Sequence, residues 1–342
     1  MTGRAEYYRD EQVTLLLGDA LEQLRTLPDG SVDCVVTSPP YFNLRDYGTP
    51  GQYGLEATPA AYVETMRALF AEARRVLADD GTLWLNLGDS YVASRSGKRR
   101  SSGLMGRSQA VTTPEGLGDK TRCGLPAKNL LGIPWRTAFA LQDDGWILRN
   151  EIIWHRPNAK PDPARDRLSP RHEHLFLFAK QPRYAFDLDS IREPLAYPDD
   201  PRLTEKQVLQ GRNPGDVWTI GTQPYPAAHF AVFPIDLPIR CIKAGCRPGG
   251  TVLDPFSGSG TTGAAAGLLG RKYIGIDLSE DYHRLAMKRF EQGSFTFEAP
   301  QPERSATYME TLVDRHPELK EQEPAPTLFE ALSAIDNGGD AA

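Results

Sequence analysis

Two short stretches of this sequence combine residue types that can do chemistry. The first follows the apolar residues 32–36 and reads Thr37-Ser38-Pro39-Pro40-Tyr41. Neither proline can donate a backbone hydrogen bond and each fixes φ, so the pair ends a strand in a stiff turn. Such a turn presents a hydroxyl, carbonyl oxygens outside the sheet ladder and an aromatic ring. A Pro-Pro pair alone is also typical of an ordinary strand-to-loop exit.

The second stretch, residues 251–263, reads as a strand, a glycine-rich turn and the start of a helix. Gly258, Gly260 and Gly263 have the spacing G-x-G-x-x-G after an apolar strand at 251–253. Asp277 follows at the end of the next apolar strand, where dinucleotide-binding βαβ units place a carboxylate that binds a ribose. We therefore predict that this unit binds a ligand that carries a ribose.

The elements that position these residues are predicted to be parallel strands. Residues 32–36 and 251–253 are short apolar runs typical of buried parallel strands. Open α/β sheets bind ligands at the carboxyl ends of such strands, so we predict that these two strands are neighbours. Periodicity predicts further strands at 13–17, 82–87, 146–154 and 174–179, and helices at 20–24, 60–77, 134–142 and 239–244.

Together the two motifs resemble those of the amino-group DNA methyltransferases that use S-adenosylmethionine. Residues 254–260 look like the cofactor loop of that family, and residues 38–41 look like its catalytic tetrapeptide. The catalytic motif comes first, which resembles the permuted β group. The resemblance spans about residues 10–290. It implies an α/β fold with a Rossmann-like, mostly parallel, seven-stranded sheet, circularly permuted, and a small target-recognition region.

The resemblance also implies a role for individual residues. Ser38 Oγ and the Pro39 carbonyl would each accept an N–H of an exocyclic amine, and Tyr41 would offer its ring to the base; Pro40 completes the catalytic turn. Asp19 is equally well explained as a helix cap. The predicted contacts to S-adenosylmethionine are Asp19, Phe233, Asp254, Phe256, Gly258, Gly260, Thr261 and Asp277.

The predicted target is the N4 amine of a flipped-out cytosine, because Ser38 is typical of the cytosine enzymes of the family. The N6 amine of adenine is the alternative, and a protein or RNA amine is a remote one. Methylation of cytosine at carbon 5 would need a thiolate nucleophile, usually presented by a Pro-Cys pair. No cysteine of this sequence follows a proline. A nicotinamide oxidoreductase would leave residues 38–41 without a role, and an inactive DNA-binding regulator would not need both motifs.

The predicted organisation has four parts. Residues 10–180 form the catalytic half, 181–228 a target-recognition region, 229–292 the cofactor half and 293–342 an acidic tail. Within the first, the loop 92–128 holds eight lysines and arginines against two acids, a footprint for DNA phosphates. The predicted phosphate contacts are Arg95, Lys98, Arg99, Arg100 and Arg107. Weaker candidates, each equally explained as a surface residue, are Arg192, Arg202, Lys206 and Arg212.

Composition sets the remaining expectations. The 342 residues are 40% hydrophobic and 25% charged, as in soluble globular proteins. No apolar run approaches the roughly 20 residues of a membrane span, and the N-terminus does not resemble a signal peptide. Four scattered cysteines favour the cytoplasm and show no zinc-like spacing, so no metal is predicted. The predicted partner is double-stranded DNA; the resemblance adds a homodimer and a functionally, not physically, associated restriction endonuclease.

Overall fold

A computed structural model describes residues 6–92, 124–159, 161–222 and 233–291. All of them lie in one compact unit, Met1–Gly293. The five predicted phosphate contacts of the basic loop and the acidic tail at 293–342 lie outside the described residues.

The described chain alternates strands and helices. In order it forms β1 (Glu6–Arg9), β2 (Val13–Leu17), α1 (Ala20–Thr26), β3 (Val32–Thr37), α2 (Pro59–Val76), β4 (Leu77–Leu87), α3 (Ile133–Asp143), β5 (Ile147–His155), β6 (His172–Ala179), a 3-10 turn (Asp189–Ile191), α4 (Glu205–Gln210), β7 (Val217–Thr219), α5 (Asp236–Gly245), β8 (Thr251–Asp254), α6 (Thr261–Leu268), β9 (Lys272–Asp277) and α7 (Glu280–Glu291).

All these strands join one mostly parallel sheet in the order β1-β2-β9-β8-β3-β4-β6-β5-β7. The predicted contact between the two motif strands is confirmed, because Cys34 lies opposite Val252 and Val35 opposite Leu253 in a parallel pair. The catalytic half precedes the cofactor half along the chain, as the permuted order requires. β5 and β6 form an antiparallel pair.

The predicted count of seven strands is wrong, since nine are present among the described residues. The additional edge strands are β1, antiparallel to β2, and β7, parallel to β5. With four and three residues, respectively, they are too short to show an alternating pattern in the sequence. Trp218 of β7 is buried against Trp84, so packing rather than local pattern brings this strand to the sheet.

Helices cover both faces of the sheet, and successive side chains of β4 pack against helices on opposite faces. Leu83 and Leu85 pack with Met66 and Leu141, from α2 and α3. Trp84 points to the opposite face and packs with residues of α5 and α6. A strand buried on both faces reads as a continuous apolar run, which is why β3 and β4 are recognisable in the sequence.

The junction of α2 and β4 differs from the predicted helix at 60–77 and the predicted strand at 82–87, which leave a gap between the two elements. The helix ends at Val76 and the strand begins directly at Leu77. Gly81 lies within the strand, where an added Cβ would come 2.6 Å from Leu77 Cδ1 and 2.9 Å from the Asp33 carbonyl. The glycine therefore permits a close approach inside a strand instead of ending a helix. Within the described part of the chain, no helix is both long and apolar enough to cross a membrane.

Candidate active site

The two motifs share one cavity of about 730 Å³ at the carboxyl ends of β3, β4, β8 and β9. All four residues of the catalytic turn line it. The predicted cofactor residues that also line it are Phe233, Phe256, Gly258, Thr261 and Asp277. The structure therefore brings most of both predicted sets into one space, although they lie more than 200 residues apart in the sequence.

A hydrogen-bond network of side chains lies behind the catalytic turn. Ser38 Oγ donates to the Tyr41 hydroxyl over 3.2 Å, and that hydroxyl in turn donates to Glu173 Oε2. Asn86 Nδ2, from the end of β4, donates to the Tyr41 oxygen at 2.7 Å and to Glu173 Oε2 at 3.0 Å. Because Ser38 directs its hydrogen toward Tyr41, a lone pair of Ser38 Oγ is left to accept from a ligand.

Glu173 is the charged end of this network. Its side chain is only 12% exposed, and its Oε1 accepts from Arg156 Nη1 over 2.6 Å. Burial, followed by the nearby Glu173 carboxylate, raises the pKa of Tyr41 well above its ordinary value. The phenol therefore stays protonated, which fixes the direction of donation from Ser38 through Tyr41 to Glu173. The Tyr41 ring is set by close packing, since a Cβ at Gly88 would lie 2.5 Å from Tyr41 Cε2.

The cofactor loop on the other side uses backbone groups. Gly258 and Gly260 have φ of +50° and +74°, in the left-handed region. The amide of Gly258 donates to Asp277 Oδ2 over 2.8 Å, and the amide of Ser279 donates to Oδ1 over 2.8 Å. A Cβ at Gly258 would meet nothing nearer than the Phe256 carbonyl at 4.0 Å, whereas one at Gly260 would lie 2.7 Å from Ala286 Cβ. Only the first of these two glycines faces open space.

The Asp277 carboxylate can accept hydrogen bonds from a ligand in the cavity. Burial raises its pKa from 3.8 to about 6. Each of its oxygens accepts one backbone amide, and a carboxylate oxygen has two lone pairs. The partly desolvated carboxylate can therefore gain free energy by accepting further hydrogen bonds from ligand hydroxyls.

Asp254 lies behind the cofactor loop and does not line the cavity. It is 1% exposed. Its Oδ1 accepts from Thr37 Oγ1 at 2.6 Å and from the amide of Phe256 at 3.0 Å, and its Oδ2 accepts from Thr262 Oγ1 at 2.8 Å. Asp254 thus joins the residue before Ser38 to the start of α6, and it fixes the two motifs relative to each other.

Both carboxylate oxygens of Asp19 likewise accept hydrogen bonds from within the protein. It caps α1 by accepting from the amide of Glu22 at 3.0 Å, and its second oxygen accepts from the Tyr53 hydroxyl at 2.9 Å. The cap interpretation therefore describes the observed contacts. The neighbours Gly18 and Ala20 line the cavity, and so does Tyr53, whose ring meets Phe256 edge-on at 5.2 Å.

Comparison with known proteins identifies the family. A family model described as DNA methylase, of the N6 and N4 type, matches residues 32–288. The chain belongs to this family. The prediction of an S-adenosylmethionine-dependent amino-group DNA methyltransferase is thereby confirmed.

Relatives and solved structures agree with this assignment. The chain is 47% identical over 276 residues to the Type II methyltransferase M.SmaI of Serratia marcescens, covering 80% of this chain and 89% of the relative. It is 44% identical to M.Cfr9I of Citrobacter freundii, covering 84% and 91%. The PvuII DNA methyltransferase (cytosine-N4-specific), 22% identical, shares the fold with a TM-score of 0.61 over 84% of this chain and 89% of that one. A candidate DNA modification methylase of Thermus thermophilus, complexed with S-adenosyl-L-methionine, is 26% identical with a TM-score of 0.54 over 84% and 97%.

The methyltransferase cavity also holds residues that sequence reasoning missed. Arg156 and Arg171 come from the ends of the loop between β5 and β6, and Glu173 is the second residue of β6. No local sequence pattern marks them, because the loop reaches this edge only through the antiparallel pairing of β6 with β4, which brings the start of β6 to the end of β4. By contrast, Arg192, Arg202 and Arg212 form ion pairs with Asp189, Asp200 and Glu193, and neither these three nor Lys206 lines the cavity.

The described cysteines of the methyltransferase take no part in the cavity. Cys34, Cys241 and Cys246 are buried elsewhere. Burial raises the pKa of all three thiols, that of Cys246 to about 11, so their thiolates are disfavoured. Among the residues that the structure describes, no cluster of His, Cys, Asp or Glu could hold a metal ion.

Proposed function

We propose that this methyltransferase transfers a methyl group from S-adenosylmethionine to the N4 amine of a cytosine flipped out of duplex DNA. The observation that carries the proposal is the acceptor Ser38 Oγ, which faces the same cavity as Gly258 and Asp277. An amine acceptor and a ribose acceptor in one space are what such a transfer needs.

The cavity fits S-adenosylmethionine on its own features. Asp277 offers a partly desolvated carboxylate to ribose hydroxyls, and the open space at Gly258 allows a ligand close to the backbone. Phe256, Thr261 and Phe233 line the rest of this side. When bound, the cofactor supplies an electrophilic methyl group on a sulfonium sulfur. Asp254, Gly260 and Asp19 support the site from behind, through the packing and hydrogen bonds of the loop and of α1.

The residues of the catalytic turn act on the amine. Its lone pair is delocalised into the base, so the nitrogen must become pyramidal before it attacks. Ser38 Oγ accepts one N–H and the Pro39 carbonyl a second, and both bonds are strongest in the pyramidal transition state. The chain from Ser38 through Tyr41 ends on the Glu173 carboxylate, whose charge favours the positive charge that develops on the amine. No thiolate is required.

The wider context of the enzyme follows from its relatives. M.SmaI and M.Cfr9I are Type II methyltransferases, which supports a modification enzyme that works beside a restriction endonuclease in the cytoplasm. Residues 181–228 remain the predicted target-recognition region, and Arg95, Lys98, Arg99, Arg100 and Arg107 the predicted phosphate contacts. A homodimer remains a prediction from the resemblance.

The test is to incubate the purified enzyme with genomic DNA and S-adenosylmethionine, hydrolyse the DNA to nucleosides and weigh them. We expect N4-methylcytosine, formed about 100-fold or more slowly by the Ser38→Ala variant. Adenine is the alternative because both bases present an amine beside an unprotonated ring nitrogen. N6-methyladenine as the sole product would overturn the choice of cytosine. Methylated protein or RNA with unmodified DNA would overturn the substrate class. Sequencing the same DNA with a method that detects modified bases yields the recognition site.

A further inference from the structure

Leu168 has an unusual position for an apolar side chain. It is 91% exposed, and it lines the mouth of the cavity together with Ser169 and Pro170. Single exposed leucines are normal on protein surfaces and need no explanation. This one, however, lies beside the opening through which a target base must enter, on the loop between β5 and β6.

The described part of this loop, residues 156–159 and 161–171, is held by specific contacts. Its ends are joined by the amide of Arg156, which donates to the Arg171 carbonyl over 2.7 Å. Arg167 pairs with Asp162 at 2.7 Å, and its guanidinium lies 4.1 Å from the centre of the Tyr91 ring. Arg167 Nη1 also donates to the carbonyl of Leu168 over 3.2 Å. The backbone that carries Leu168 is therefore fixed from both sides.

The charges around Leu168 suit DNA. Arg165 and Arg171, three residues before and after it, are both exposed, and Arg171 also lines the cavity. Contacts from such cations to phosphates fix the position of a protein on a duplex. The acids of the same segment, Asp162 and Asp166, are paired with Arg167 and Lys128. An apolar tip flanked by Arg165 and Arg171 therefore matches a duplex, where the base stack is apolar and the backbone is anionic.

We propose that Leu168 is a wedge that enters the base stack beside the target nucleotide and occupies the space that the flipped base leaves. The proposal rests on the proposed function and extends it to the opening step. Taking a base out of the stack costs free energy. Other DNA-binding proteins insert apolar side chains between base steps, and a side chain in the vacated space would replace part of the lost stacking contact. Arg165 and Arg171 would hold the flanking phosphates while the leucine is inserted.

The test compares two duplexes that carry the methylation site found by sequencing, one with the target base paired and one with it mismatched. A mismatched base is easier to extrude, so it needs the wedge less. In single-turnover reactions we expect Leu168→Ala to slow methylation of the paired duplex by about tenfold or more. On the mismatched duplex its rate should return to within about threefold of the wild type. Leu168→Met should behave like the wild type on both.

Leu268→Ala is the matched control, because Leu268 is 42% exposed at the end of α6 and does not line the cavity. It should leave both rates unchanged. Equal slowing of Leu168→Ala on both duplexes, or no slowing on either, would overturn the wedge while the proposed function stands. A wild-type enzyme that methylates neither duplex would overturn both.

Discussion

The catalytic turn and the cofactor loop face one cavity but are built in different ways. At the catalytic turn the acting groups are side chains, and their partners Asn86 and Glu173 come from β4 and β6. At the cofactor loop they are backbone amides and an open glycine, supported by Asp277 on the adjacent strand. The acting groups of the turn take their partners from β4 and β6, whereas the carboxylate that supports the loop comes from the adjacent strand of the same βαβ unit.

This difference predicts a separation of effects. Changes at the catalytic turn should lower the rate of methyl transfer and leave cofactor affinity intact, since its groups are the ones proposed to contact the amine. Changes at the cofactor loop should act first on affinity. For each variant, single-turnover methylation gives the rate and calorimetry gives the affinity for S-adenosylmethionine.

The largest expected effect is that of Ser38→Ala. Removing one preorganised hydrogen-bonding group that acts in the transition state typically costs about 100-fold or more in rate. Cofactor affinity should stay within about twofold of the wild type, because Ser38 lies on the amine side of the cavity. A comparable loss of affinity would show that the two regions are not separable in this way.

The next effect is that of Asp277→Ala on cofactor binding. Hydrogen bonds to charged groups contribute about 1.5–3 kcal/mol each, so calorimetry should show a loss of roughly 10- to 100-fold in affinity. Asp281→Ala is the control, because Asp281 is 82% exposed on α7 and pairs only at the surface with Arg284. Unchanged affinity in Asp277→Ala would refute the assignment of the ribose to this carboxylate.

The same contrast explains what the sequence could predict. The cofactor unit is recognisable because strand, glycines, helix and Asp277 follow one another within residues 251–277. Glu173, by contrast, lies 132 positions from Tyr41, and no local pattern links them. The turn itself is predictable from its prolines, but its charged support could be found only through the pairing of β6 with β4.

The edge strands and the junction of α2 and β4 also could not be predicted from local sequence patterns. The central strands β3, β4, β8 and β9 are buried and read as apolar runs, so they were predictable as strands, and the two motifs also predicted the contact between β3 and β8. The edge strand β7 exists because Trp218 packs on Trp84, a tertiary contact that its three residues do not reveal. In a sequence, a glycine that follows a helix is typical of a helix end. Gly81 instead allows Leu77 and the Asp33 carbonyl to approach the backbone of β4, and the sequence alone does not distinguish the two roles.

A third prediction tests whether Glu173 acts through Tyr41. Tyr41→Phe and Glu173→Gln should each slow methyl transfer by about tenfold, since each interrupts the chain that ends on the carboxylate. The double variant should be little slower than either single one, because the chain is already broken. Glu151→Gln is the control: Glu151 pairs with His174 at 2.6 Å and does not line the cavity. Multiplying effects in the double variant would mean that Glu173 acts independently of Tyr41.

The two carboxylates of the cofactor half make a finer comparison. Asp254 ends β8 and Asp277 ends β9, and burial raises the pKa of both from 3.8 to about 6. Asp277 faces the cavity and can regain free energy from a ligand. Asp254 is enclosed by Thr37, Thr262 and the amide of Phe256, so its desolvation is not relieved by binding.

The smallest expected effect is on stability, in Asp254→Asn. An acid whose pKa is raised in the folded state contributes stability below pH 4 that is lost as the pH rises to about 6. The amide oxygen of asparagine can accept from Thr37 and Phe256, and its NH₂ group can donate to Thr262, whose hydroxyl then turns to the Val36 carbonyl 3.4 Å away. The variant should therefore match the wild type near pH 4 and exceed it by about 1–3 kcal/mol at pH 8.

Denaturant unfolding at both pH values measures this difference, and Asp254→Ala provides the contrast. Alanine leaves the hydroxyls of Thr37 and Thr262 without their buried acceptor, so that variant should be less stable than the wild type at either pH. The Asp254 charge also raises the pKa of Asp277, so both variants, which lack that charge, lose the same part of the pH dependence that Asp277 contributes. If Asp254→Asn were instead less stable at pH 8, the charge of Asp254 would itself stabilise the junction between the two motifs. The pH dependence of folding would then have to come from Asp277, whose carboxylate faces the cavity.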